Sequence, residues 1–232
     1  MAGNLAVNYL FTNRYIMFPF HREHVFMNMT QTKKPRGRPP AFDREEALEK
    51  ALQLFWQHGY EGTSMADLMQ AMGMNKPSIY AAFGNKEELF RKALQRYLSG
   101  PVAYAVDALH EATARAVVET FLHASVALLA SQETPKGCFI VQSALACGAG
   151  STLIREELTL QRKRFEAALA QRFELARAEG DLPADAKPLD LARYIATVHQ
   201  GLSVQAASGA NREELLAVVE LALRNWPGAT GK

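Results

Sequence analysis

The sequence predicts an all-α chain, and three observations carry that reading. From Val102 onward the apolar residues recur at helical spacing, and no segment alternates with the two-residue period of a half-buried strand. Between Thr63 and Phe90 the residues TSMADLMQAMGMNKPSIYAAFGNKEELF read as two short helices around a tight glycine turn, followed at once by the capped start of a third. The breaks between helical stretches fall at Gly, Pro, Ser and Asn, the residues that end helices or start turns.

Residues 1–41 come first and fit nothing that follows. MAGNLAVNYLFTNRYIMFPFHREHVFMN is rich in aromatics, lacks a helical period and makes a poor signal peptide, because its charges sit inside or after the apolar part. We read it as disordered chain from a start codon assigned too early, with Met27 or Met29 as the true start; a genuine N-terminal arm is the alternative. Residues 31–41 hold Lys33, Lys34, Arg36 and Arg38 and no acid. Arg36-Gly37-Arg38-Pro39 suits an arm that inserts guanidinium groups into a narrow, negative minor groove.

Residues 42–100 form the predicted helix-turn-helix domain. Asp43 caps a first helix whose stripe is Ala47, Leu48, Ala51, Leu52 and Phe55, and Gly59 stops it. Ser64 with Asp67 makes a capping box, Gly73 supplies the turn, Asn75 caps the next helix and Pro77 lies in its first turn. In that helix Ile79 and Phe83 bury one side, which leaves Lys76, Ser78, Tyr80 and Ala81 for the other. Asn85 with Glu88 caps the helix that carries Leu89, Phe90, Ala93, Leu94 and Tyr97. In a helix-turn-helix the second helix enters the major groove with its N-terminal residues at the base edges. The expected DNA contacts are therefore Met74, Asn75, Lys76, Pro77, Ser78, Tyr80 and Ala81, with Thr63, Ser64 and Lys86 on phosphates and Arg36 and Arg38 from the arm. Charge supports this end of the chain: residues 1–100 carry 13 Lys/Arg against 9 Asp/Glu, and the rest 13 against 15.

Residues 101–232 are read as helices at about 102–109, 112–131, 138–147, 152–179, 188–207 and 211–226. Leu215 to Leu223 has a single charge in nine residues, so that helix must be covered on more than one side. Small Ala192, Ala196, Gly201 and Ala206 in its partner segment permit close helix approach. One face serves the core and the other packs on a second copy, with Leu202, Leu215, Val218, Val219, Ala222 and Trp226 as the expected dimer contacts.

The run from Phe42 to Leu98 closely resembles the DNA-binding domain of TetR/AcrR-type transcriptional regulators. It matches in three motifs in register: F-x-x-x-G-Y-x-x-T-S, then G-x-N-K-x-x-I-Y-x-x-F, then K-E-E-L. The resemblance implies a homodimeric repressor on a palindromic operator, released by a small and often hydrophobic inducer held among the C-terminal helices. Phe121, Phe139, Gln142, Phe165, Tyr194 and His199 are the candidates to line that pocket, although most such residues serve the core by default.

Other function classes have little to stand on. An apolar fraction of 48% and a charged fraction of 22% are those of an ordinary globular protein, and no apolar run is long enough to span a membrane. No nucleophile elbow, phosphate loop or carboxylate pair presents itself, so no catalytic residue and no cofactor are expected. His58, His110, His123 and His199 lack metal-ligand pairing, and no metal site is expected. Two cysteines without a framework point to a reducing cytoplasm. Cys138 and Cys147, nine residues apart, would stand about 13 Å apart on one helix, beyond the roughly 7 Å limit for a disulfide. A thiol sensor acting through Cys138 or Cys147 alone, a sequence-indifferent DNA-coating protein, and a helical module using its helix-turn-helix for protein contacts remain the alternatives.

Overall fold

The computed structural model describes residues 43–146 and 148–228. Arg36 and Arg38, the basic arm, the early-start segment and Cys147 lie outside them. Among the described residues the chain forms ten α-helices and no strand. The first four are α1 (Arg44–Gly62), α2 (Met65–Met72), α3 (Lys76–Phe83) and α4 (Lys86–Ser99).

Each of the four starts on the residue its sequence marks for it. Asp43 accepts from the Glu45 amide at 2.8 Å, Ser64 and Asp67 complete a capping box, Asn75 accepts from the Ser78 amide at 2.9 Å, and Asn85 and Glu88 complete a second box. These bonds satisfy amides that a helix start leaves orphaned. Gly59 takes φ 73°, ψ 176°, so α1 breaks there and its last residues form a separate turn. The left-handed φ of 65° at Gly73 makes the turn between α2 and α3. Ala47, Ala51, Leu52, Phe55, Leu68, Met72, Ile79, Phe83, Leu89, Phe90, Ala93 and Leu94 close the core of this head. Arg96 ties α4 to α1 through Glu49 at 2.5 Å and Glu45 at 2.7 Å.

The remaining helices are α5 (Tyr104–Asp107), α6 (Ala114–Leu129), α7 (Phe139–Leu145), α8 (Thr152–Ala178), α9 (Pro188–Ala207) and α10 (Arg212–Arg224). The long α8 lies along α9, and α10 packs on α6. Ala192, Ala196 and Ala206 are buried where α9 meets its neighbours, as small residues at a close crossing should be, whereas Gly201 is exposed with open space above it.

The chain turns at Gly100-Pro101, yet α7 packs back on α1 and α4, and the described residues make one compact unit. Trp56 donates its indole N–H to the Gly137 carbonyl at 3.0 Å, with Tyr97 edge-on at 4.8 Å and Phe139 at 6.4 Å between centroids. The Tyr97 hydroxyl donates to Cys138 Sγ at 3.4 Å and accepts from the Phe139 amide at 3.3 Å. Arg91 to Glu157 (2.9 Å) and Ser151 to Glu61 (2.7 Å) lie across the same junction.

Candidate nucleic-acid interface

Helix α3 hangs on two buried side chains, Ile79 and Phe83, four residues apart on one face. The opposite face is open: Asn75, Lys76, Pro77, Tyr80 and Ala81 are exposed and Ser78 is half-buried. Lys76 Nζ stands 5.8 Å from the Tyr80 ring centroid, which gathers a cation and an aromatic face at the helix start. Ser64 is exposed at the start of α2. Lys86 is half-buried at the start of α4, with Nζ 4.4 Å above the Tyr60 ring. Burial pulls the Lys86 ammonium below the usual lysine range, against the opposing pull of Glu61 and Asp67.

Two expected contacts fall away from this face. Thr63 is fully buried, with its hydroxyl donated back to the Gly59 carbonyl at 2.8 Å, so its side chain closes the α1 break. Met74 is buried and packs into the head. Two residues not anticipated from sequence set the tilt of α3. Arg44 donates to the Ala82 carbonyl at 2.6 Å with its guanidinium 5.5 Å from the Phe83 ring, and Lys92 donates to the Phe83 carbonyl at 2.9 Å. Cations at the last carbonyls of a helix satisfy orphan acceptors and complement its dipole. The partners are 38 and nine residues apart in sequence, so no local pattern could announce them.

The six residues proposed for an inducer pocket divide three ways. Phe121, Phe165 and His199 come together, with Phe121 centred 4.7 Å from Phe165 and 5.1 Å from His199; Tyr104 joins them at 6.1 Å from Phe121. Phe139 belongs instead to the junction beside Trp56 and Tyr97, and Gln142 donates to the Ser203 carbonyl at 3.2 Å. Tyr194 lies exposed on the outer face of α9.

Burial pulls the His199 imidazole down to about 4. The unfolded chain takes up its proton near the ordinary value of 6.5, so stability is full above that pH and is lost as pH falls towards 4. At about 1.4 kcal/mol per pH unit, the loss between pH 7 and pH 5 is about 2 kcal/mol. Urea midpoints at the two pH values should differ accordingly, and His199→Phe should remove most of the difference.

Most of the expected dimer contacts are also core. Leu202, Leu215, Val219, Ala222 and Trp226 are buried within their own chain; on α10 the face bearing 215, 219, 222 and 223 is the one laid on the core, with Trp226 just past its end. Val218 and Leu221 point outward at 44% and 56% exposure. On α9, Tyr194, Thr197, Gly201 and Val204 make an exposed stripe at helical spacing. Cys138 is buried, and desolvation pushes its thiol pKa up, away from the reactive thiolate. Among the described residues no cluster of His, Cys, Asp and Glu is placed to hold a metal, and no helix is long and apolar enough to cross a membrane.

A capped helix-turn-helix packed on an all-helical body defines a class of regulatory protein. Residues 47–93 match the model of bacterial regulatory proteins of the tetR family, and residues 114–219 match the tetracyclin repressor-like C-terminal domain. The chain belongs to the TetR family. It is 38% identical over 197 residues to the HTH-type transcriptional repressor ComR of Escherichia coli K12, covering 84% of this chain and 94% of that protein. A cysteine mutant of the regulator CifR, solved with 26-base-pair operator DNA, is 46% identical with a TM-score of 0.79, over 82% of this chain and all of that one. A TetR-type regulator from Rhodococcus sp. RHA1 is 44% identical with a TM-score of 0.56, over 81% of this chain and all of that one.

Proposed function

We propose that this protein is a transcriptional repressor that binds a palindromic operator as a homodimer and leaves it when a small molecule occupies the C-terminal helices. The observation that carries the reading is the exposed strip Lys76 to Ala81 on a short helix fixed from behind by Ile79 and Phe83, in a member of this family. Similarity to a repressor and to an operator-bound regulator supports it. Helix α3 enters the major groove, Ser78 and Ala81 meet base edges, and Lys76, Lys86 and the amides at the starts of α2 and α4 meet phosphates. A second copy covers Val218, Leu221 and the α9 stripe, and Gly201 leaves room for a partner helix to approach. Half-sites then lie about one DNA turn, roughly 34 Å, or a little more apart.

The effector site is the cluster of Phe121, Phe165 and His199. Tyr104 touches that cluster from α5, which follows α4 in the chain, so a molecule lodged against Phe121 displaces the segment that carries α4 and the reading head. Ligand and operator must then weaken one another to the same degree.

Salt titrations separate the roles at the reading face. Lys86→Ala is expected to weaken binding to all sequences and to lower the slope of log affinity against log salt by about one. Arg44→Ala is expected to cut the preference for operator over random DNA while leaving the slope nearly unchanged, because the Arg44 guanidinium is engaged by the Ala82 carbonyl and holds α3. Ser78 and Ala81 substitutions should change which operator is preferred. Fluorescence anisotropy on the DNA flanking the gene tests the whole reading: two chains per site and a strong preference over scrambled DNA are expected, and equal affinity for both would refute it.

A further inference from the structure

Three consecutive residues at the junction of head and body, Gly137, Cys138 and Phe139, are bonded from four helices at once. The Gly137 carbonyl accepts from the Trp56 indole of α1 at 3.0 Å, and the Gly137 amide donates to the Leu129 carbonyl at the end of α6 at 3.4 Å. The Phe139 amide donates to the Tyr97 hydroxyl of α4 at 3.3 Å, and that hydroxyl donates to Cys138 Sγ at 3.4 Å. The Cys138 amide donates to Ser203 Oγ of α9 at 2.8 Å. Gln142, on the first turn of α7, donates to the Ser203 carbonyl at 3.2 Å. Tyr97, Cys138 and Ser203 are all buried, and backbone stays inside a protein only where its polar groups find such partners. Gly137 shows how closely α9 sits. Its φ of 83° is left-handed, and a Cβ there would fall 2.9 Å from the Ser203 carbonyl oxygen, so backbone lies against backbone at this point.

We infer that Ser203 is a positioning residue for operator recognition: by holding the Cys138 amide it fixes the head on α9, and so sets the separation of half-sites that two heads accept. The inference rests on the repressor reading above, in which the exposed stripe of α9 meets a second copy. Ser203 lies on the inner face of that helix, next to Val204 on the outer one. The path from one recognition helix to the other then runs through the head, residues 137–139, Ser203 and α9, and through the same contacts of the second copy in reverse. The tie from Arg91 to Glu157 leads to α8 instead, and its partly exposed ion pair holds position weakly. One base pair added between half-sites moves them by about 3.4 Å and turns one against the other by about 34°. A rigid linkage refuses that change, and a loose one follows it.

A palindrome selected from random DNA by the native full-length protein supplies the probe, with versions whose half-sites stand one or two base pairs closer or farther, and with a single half-site. The native protein is expected to lose at least about tenfold in affinity at altered spacings, since a mismatched geometry forfeits tethered binding. Ser203→Ala should cut that penalty to about threefold or less, while single half-site affinity and the oligomeric state in sedimentation stay native. Tyr97→Phe removes a hydroxyl from the same three residues and keeps the ring edge on Trp56, so it should act alike. The double variant should do little more than either, because both changes act on one linkage. All titrations are run below the onset of thermal unfolding; if Ser203→Ala does not fold, Tyr97→Phe alone decides. A folded variant that keeps the native spacing penalty, or that loses half-site and full-operator affinity in equal proportion, would overturn the inference and leave the repressor reading standing. A native protein that selects no palindrome would overturn the repressor reading and the inference with it.

Discussion

Leu221→Glu is expected to give a folded, helical monomer that no longer holds a full operator. Leu221 and Val218 project from α10 at 56% and 44% exposure, so a glutamate there stays solvated in the single chain and becomes a buried, unpaired charge only when a second copy covers it. Losing the link between two reading heads removes the gain from tethered binding, about 10²–10⁴ in affinity. Val219→Glu, one residue from Val218 but fully buried, should instead unfold the chain. Sedimentation equilibrium and far-UV circular dichroism separate the outcomes. A Leu221→Glu protein that remains dimeric would place the partner surface elsewhere.

Trp56→Ala is expected to be the most damaging neutral substitution at the junction of head and body. The indole is buried against Tyr97 and Phe139 and donates to Gly137, so truncation leaves a cavity and an unpaired buried carbonyl. Losses of this kind run to about 3–5 kcal/mol. Trp56→Phe keeps most of the ring and drops the N–H, and should cost only about 1–3 kcal/mol. Urea denaturation of the three proteins gives the comparison; a loss below about 1 kcal/mol for Trp56→Ala would mean the junction is not a shared core.

The parts of this molecule that were legible in its sequence are those whose cause is local. Ser64 with Asp67, Asn75, Gly73 and Asn85 with Glu88 fix helix ends by bonds spanning a few residues, and the helices begin and end there. Ile79 and Phe83 were assignable to the inner face of α3 because four residues is about one turn. What escaped depends on contacts between distant residues. Thr63 looked like a surface hydroxyl until the break at Gly59 turned its side chain inward. Helix α10 is apolar around most of its girth, so periodicity could not tell Val218 from Val219; packing on α6 decides it. Phe121 and Phe139 are equivalent as letters, yet one stacks at the proposed effector site and the other on Trp56. Arg44 and Lys92 gain their role only when α1 and α4 flank the end of α3.

DNase footprinting of the purified protein on the DNA beside its own gene tests the central claim most directly. The account predicts one protected segment with two-fold symmetry, its half-sites about one helical turn or slightly more apart. Uniform, concentration-dependent coverage with no preferred sequence would contradict it, and would leave a DNA-coating protein in place of a two-headed repressor.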